Sequence, residues 1–182
     1  MNDATLIGRS LVDGASFALV FDRHFRAIHR FLRARVGAQL ADDLASETFV
    51  IAFSRLAAYD RSRDDARPWL YGIAVNLLRE HRRSEERRLR AYARVSTGEV
   101  EPSTESAGGL EPALAAALLG LSAEERNLIL LYAWAELSYE QLAQALALPL
   151  GTVRSRLSRA RAKLRASLDL PETAAAPGGG TR

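Results

Sequence analysis

The feature that most constrains the fold is a break in character between residues 95 and 111. There serine, threonine, glycine, proline and glutamate replace the surrounding alanine, leucine and arginine, and no basic residue occurs. Such a stretch has little to bury and reads as a flexible linker. It divides the 182 residues into a leading part, 1–94, and a following part, 112–168, with a polar tail over 169–182 that is expected to be disordered. Each part must therefore build its own core.

Both parts carry helical periodicity, and no alternating strand pattern competes with it. Phe17, Val20, Phe21, Ile28, Phe31 and Leu32 predict a helix over about 14–36, and Leu44, Thr48, Ile51, Phe49, Phe53 and Leu56 a second over about 40–56. Pro68 suits a first helical turn, and Trp69, Leu70, Ile73, Ala74 and Leu77 mark a third helix that ends in arginines. In the second part, Ser122 with Glu125 and Ser138 with Gln141 fit capping boxes, which place two helix starts independently. Pro149-Leu150-Gly151 interrupts the chain, and Thr152 is expected to cap a last helix to about residue 168. The expected fold is all-α: two small helical domains on a flexible linker, the second a helix-turn-helix.

Charge is unevenly spread. The chain carries +3 overall, yet residues 79–94 hold seven arginines against three glutamates, and residues 152–168 hold six basic residues and no acid. The rest is net acidic. Two basic clusters on an acidic background are the footprint of a polyanion ligand. In the last helix Val153, Leu157, Ala160 and Leu164 form one inward stripe, which turns arginines outward as in a helix that enters the major groove.

Enzyme classes find little support. There is no cysteine, no phosphate loop and no nucleophile elbow, and His24, His29 and His81 lack metal-ligand spacing. Asp43 and Glu47 share a helix face but read as solvated charge. No cofactor and no metal is expected. The start of the chain lacks a secretory signal, and the apolar run 128–135 is too short to span a bilayer, so a cytoplasmic protein without membrane insertion is expected. A conventional helix-turn-helix regulator would explain 138–165 but not the second basic cluster, and an interaction adaptor would need neither.

Residues 138–165, SYEQLAQALALPLGTVRSRLSRARAKLR, resemble the segment that reads the −35 promoter element in extracytoplasmic-function sigma factors of the sigma-70 family. The resemblance implies that Arg154, Ser155, Ser158 and Arg159 face bases and that Thr152, Arg156 and Arg161 lean on phosphates. Residues 41–49, ADDLASETF, resemble the family segment that docks on the polymerase beta-prime subunit, which implies Asp42, Asp43 and Glu47 as contacts, with Leu44 and Phe49 as an apolar contact or as core support. Residues 68–76, PWLYGIAVN, resemble the segment beside the −10 element. That implies a base pocket of Tyr59, Asn76 and Glu80, with Trp69, Arg79, Arg82 and Arg83 along the DNA-facing helix. Gly72 stands where relatives usually carry arginine. The implied partners are the beta and beta-prime subunits of core RNA polymerase, promoter DNA and, as a candidate, an anti-sigma protein. The implied role is promoter selection and −10 opening, with catalysis left to polymerase.

Overall fold

The computed structural model describes residues 1–95 and 112–168, with Glu85, Glu86, residues 88–95 and Pro112 described as backbone only. Among these residues there are eight α-helices and no strand: α1 Asp3–Ser10, α2 Ala18–Val36, α3 Ala38–Ser54, α4 Arg67–Val95, α5 Pro112–Leu119, α6 Ala123–Trp134, α7 Tyr139–Leu146 and α8 Leu150–Ser167. The expectations for the linker and the tail fall outside the described residues.

Helix α2 follows a short 3₁₀ turn, Gly14–Phe17, which absorbs the first residues expected to be α-helical. It stops at Gly37, whose φ of 81° lets α3 begin at once on a new axis. Val20, Ile28, Phe31 and Leu32 of α2 face Ala41, Leu44, Ala45, Phe49 and Ala52 of α3, all buried. The alanines let the two helices approach closely. Thr48 is buried too, its hydroxyl donating to the Leu44 carbonyl at 2.7 Å. Helix α4 covers this pair, with the Tyr71 ring 5.4 Å from Phe31 in an edge contact.

Helix α1 was not anticipated, although Asn2 caps it by accepting from the Thr5 amide at 2.9 Å, ahead of the buried pair Leu6 and Ile7. Its Asp3 is buried against the rest of the group. The carboxylate accepts from His24 Nε2 at 2.8 Å, from the Ala66 amide at 3.0 Å and from Arg23. Burial pushes this carboxyl up, but those hydrogen bonds outweigh it and hold it at about 2.

In the second part both capping boxes are present, at Ser122 with Glu125 and at Ser138 with Gln141. Helix α7 ends on Ala147 in the left-handed region, φ 52°, and the Leu148 amide reaches back to Ala143 O at 2.9 Å. Helix α8 then starts at Leu150 with Pro149 at its cap position, so Thr152 lies inside the first turns and does not cap. The αL residue makes the turn earlier than the proline and glycine suggested. Leu128, Leu131, Leu137, Leu142, Leu146, Val153 and Leu157 form the core of this group.

The two groups meet along a seam between α4 and α7. At Gly72 a Cβ would sit 2.9 Å from the Ala145 carbonyl oxygen, closer than side-chain carbons come, so glycine permits this approach. Polar contacts flank it. Arg67 donates to Ala135 O at 3.1 Å, Arg30 to Trp134 O at 3.3 Å, Arg35 to Asn127 Oδ1 at 3.0 Å, Gln141 to Asp65 at 2.8 Å, and Arg63 to Gln144.

Candidate nucleic-acid and polymerase interfaces

Helix α8 is anchored by Val153, Leu157 and Ala160, which are buried with Leu164 packed beside them. That register turns Arg154, Ser155, Ser158 and Arg159 fully outward and leaves Thr152, Arg156 and Arg161 half-buried at its flanks. Arg161 is not a free arm: its guanidinium carbon stands 4.3 Å from the centre of the Tyr132 ring, and it donates to the Tyr139 hydroxyl at 3.3 Å. Lys163 pairs with Glu125 at 2.7 Å, which braces α8 on the start of α6 and holds the Glu125 carboxyl below its ordinary range.

On α4, Asn76 and Glu80 are exposed one turn apart, and Arg79 is half-buried with a hydrogen bond to Asn76 Oδ1 at 3.3 Å. Arg82 and Arg83 are exposed on the next turn. Tyr59 does not join them. It is buried, its ring centre lies 5.0 Å from that of Trp69, and its hydroxyl donates to the Arg63 carbonyl. Its burial pushes the phenol up to about 12. Tyr59 is therefore not brought together with Asn76 and Glu80 in this arrangement: its ring packs at a tilt against Trp69, itself half-buried, beside the core.

On α3, Asp42, Asp43 and Glu47 are exposed, and Asp42 accepts from His29 Nε2 at 2.7 Å. Leu44 and Phe49 point inward, where Phe49 packs edge-on to Phe21 at 4.9 Å. The apolar surface beside the acids comes instead from Val50, 67% exposed, and Phe53, 48% exposed. Sequence reading missed both, although Glu47, Val50 and Phe53 fall near one another on a helical wheel. The Phe53 ring is held 5.4 Å from Phe17.

The seam brings the two basic faces together. A cleft of about 560 Å³ is lined by Arg79 and Arg83 of α4, Arg156 and Arg159 of α8, and Glu124 and Glu125 at the start of α6. No group of His, Cys, Asp and Glu among the described residues could hold a metal ion, and no described helix is long and apolar enough to cross a membrane.

Comparison with known proteins agrees with this layout. The family model for sigma-70 region 2 matches residues 20–88, and that for sigma-70, region 4 matches residues 112–164. The RNA polymerase sigma factor NccH of Alcaligenes xylosoxydans xylosoxydans is 31% identical over 165 residues, covering 86% of this chain and 88% of the relative. The ECF RNA polymerase sigma factor SigL of Mycobacterium tuberculosis is 32% identical over 169 residues, covering 91% and 96%. Among solved structures, sigma factor RpoE with the anti-sigma factor NepR from Bartonella quintana is similar at a TM-score of 0.71 and 25% identity, covering 86% of this chain and 98% of that one. CnrH with the cytosolic domain of CnrY gives 0.69 at 29% identity, covering 92% and 97%. A two-group helical chain with this helix-turn-helix and these relatives belongs to the sigma-70 family. Within it the chain is an extracytoplasmic-function sigma factor, a promoter-specific factor in transcription initiation.

Proposed function

We propose that residues 1–94 form a domain that docks on core polymerase through the α3 face of Asp42, Asp43, Glu47, Val50 and Phe53, and meets −10 DNA along Asn76, Glu80, Arg79, Arg82 and Arg83. Residues 112–168 form the domain that reads −35 DNA with Arg154, Ser155, Ser158 and Arg159, and 95–111 tether the two. The protein works in the cytoplasm, and nucleotidyl transfer belongs to polymerase. An anti-sigma protein is a partner by analogy with the RpoE and CnrH complexes. The observation that carries the reading is α8: one buried stripe fixes its register and leaves four polar side chains aimed away from the core.

The −10 and −35 positions lie about 25 base pairs apart, roughly 85 Å of duplex at 3.4 Å per pair. With Gly72 against Ala145 and both basic faces lining one cleft, the arrangement seen here spans nothing like that length. Promoter reading therefore requires the seam to open, and polymerase docking is the step that can hold the domains apart.

A panel of −35 variants bound by holoenzyme at several salt concentrations tests the assignment. Arg154→Ala or Arg159→Ala flattens preference at a particular base pair, worth about 1 to 3 kcal/mol of discrimination. Arg165→Ala weakens all sequences alike and shallows the salt slope by about one unit or less. Identical behaviour of Arg159→Ala and Arg165→Ala would show that α8 does not enter the groove as placed.

A further inference from the structure

Along most of the seam each arginine that crosses it meets a backbone carbonyl or a side-chain amide. One gap is different. A cavity of about 740 Å³ between the two helical groups is lined by Arg35 of α2, Asp43 of α3, Arg82 of α4, and Leu121, Ser122 and Arg126 around the start of α6. We propose that this cavity binds a small phosphate-bearing anion held by Arg35, Arg82 and Arg126, and that its occupancy fastens the two groups in the closed arrangement.

The three arginines come from three helices and from both sides of the seam, and among the described residues none of them forms an ion pair with a carboxylate. Two are fixed in place. Arg126 spends Nε on Leu118 O at 2.7 Å and Nη2 on Leu119 O at 2.9 Å and Leu121 O at 3.2 Å, which seals the end of α5. Arg35 spends Nε on Asn127 Oδ1, which is itself buried. Their remaining guanidinium nitrogens have no hydrogen-bond partner among the described residues, and a guanidinium fork suits a phosphate group.

Positive charge is left over here. Burial, with Arg126 and Arg82 nearby, pushes the Arg35 guanidinium down to about 9, while Glu124 pulls it back by less. It stays charged near neutral pH, so the closed state carries like charges in a partly desolvated gap. Asp43 is the one acid among the described residues that line the cavity, and it is mainly exposed. The first turn of α6, with Ala123 at the wall, adds the positive end of a helix dipole. A phosphate group would relieve this repulsion from both sides of the seam at once. The volume exceeds one phosphate and lies in the range of small-ligand pockets, so a diphosphate or nucleotide fits as a class.

The experiment titrates the full chain with pyrophosphate in a calorimeter, ionic strength being held constant with potassium chloride, beside inorganic phosphate, adenosine triphosphate and a promoter-free DNA duplex. Expected is saturable one-site binding of at least one small phosphate, with a raised melting temperature and a radius of gyration that does not grow. Arg82→Gln, an exposed position, weakens that binding by about tenfold or more, and Arg35→Gln does likewise, as loss of a hydrogen bond to a charged group implies. Both variants are checked for unchanged helicity by circular dichroism. No saturable binding of any small phosphate overturns the proposal. So does binding undiminished in Arg82→Gln, or binding confined to the duplex, which would make these arginines DNA-backbone contacts. None of these outcomes depends on promoter recognition, so the sigma assignment stands or falls separately.

Discussion

Helices α4 and α8 both carry basic clusters, yet they are buried in different ways. In α8 a single stripe of Val153, Leu157 and Ala160 goes inward, and the arginines fill the rest of the circumference. In α4, residues Leu70, Tyr71, Ile73, Ala74, Val75, Leu77 and Leu78 are all buried, because α2, α3 and α7 pack around it. A helix with one buried face has one answer for where its polar residues point. A helix packed both by its own group and across the seam divides its circumference among core, seam and ligand, and small residues such as Gly72 become positional.

The largest expected effect tests the single-stripe helix. Leu157 is 1% exposed, and Leu157→Ala leaves a cavity with little chance to collapse, at a cost of about 2 to 5 kcal/mol. The loss is confined to α6–α8 if that group has its own core. Thermal melting followed at the amide level by hydrogen exchange checks this: amides of α2 and α3 keep their protection while those of α8 lose it. Equal loss in both groups would mean that they unfold as one unit.

The second effect concerns how α4 begins. No side chain caps α8, whereas α4 is entered through Ala66, whose amide donates to Asp3 from 63 residues away. Asp3→Ala removes the acceptor for Ala66, His24 and Arg23 and costs about 1 to 3 kcal/mol. Its carboxyl is held at about 2 against an ordinary 3.8, so its contribution is complete above pH 4 and fades as pH falls toward 2. Unfolding in urea across that range should show wild type and Asp3→Ala converging at the acid end. A constant gap between them would assign the stabilisation to packing instead.

This contrast also explains what could be read in advance. The two capping boxes, the α8 stripe and the helical class follow from local spacing, which is enough where one face is buried and one chemistry caps a helix start. The start of α8 was misplaced because Ala147 takes the left-handed conformation that glycine usually supplies. Tyr59 reads as a pocket residue because its loop precedes α4, and nothing local reveals that its ring packs against Trp69. Val50 and Phe53 look like core residues until α3 is seen to present its other face to α2. The seam itself was invisible, since its partners lie from 68 to 104 residues apart in its arginine-to-carbonyl contacts.

The smallest effect on stability should be Gly72→Arg, and it is the most informative about α4. A Cβ at 2.9 Å from the Ala145 carbonyl cannot be relieved by turning a side chain, because the obstacle is backbone. The two groups can relieve it by separating. Separation forfeits seam hydrogen bonds, but glycine inside a helix costs about 0.5 to 1 kcal/mol relative to a good helix former, and arginine returns most of that. The unfolding free energy should therefore change by about 1 kcal/mol or less, while small-angle scattering shows a larger radius of gyration. Free Gly72→Arg protein should also bind −35 duplex more tightly than wild type, since Arg156 and Arg159 no longer share a cleft with Arg79, Arg83, Glu124 and Glu125. An unchanged radius with unchanged duplex affinity would show that α7 does not hold α4 through Gly72, and the close approach would then have no part in masking the reading faces.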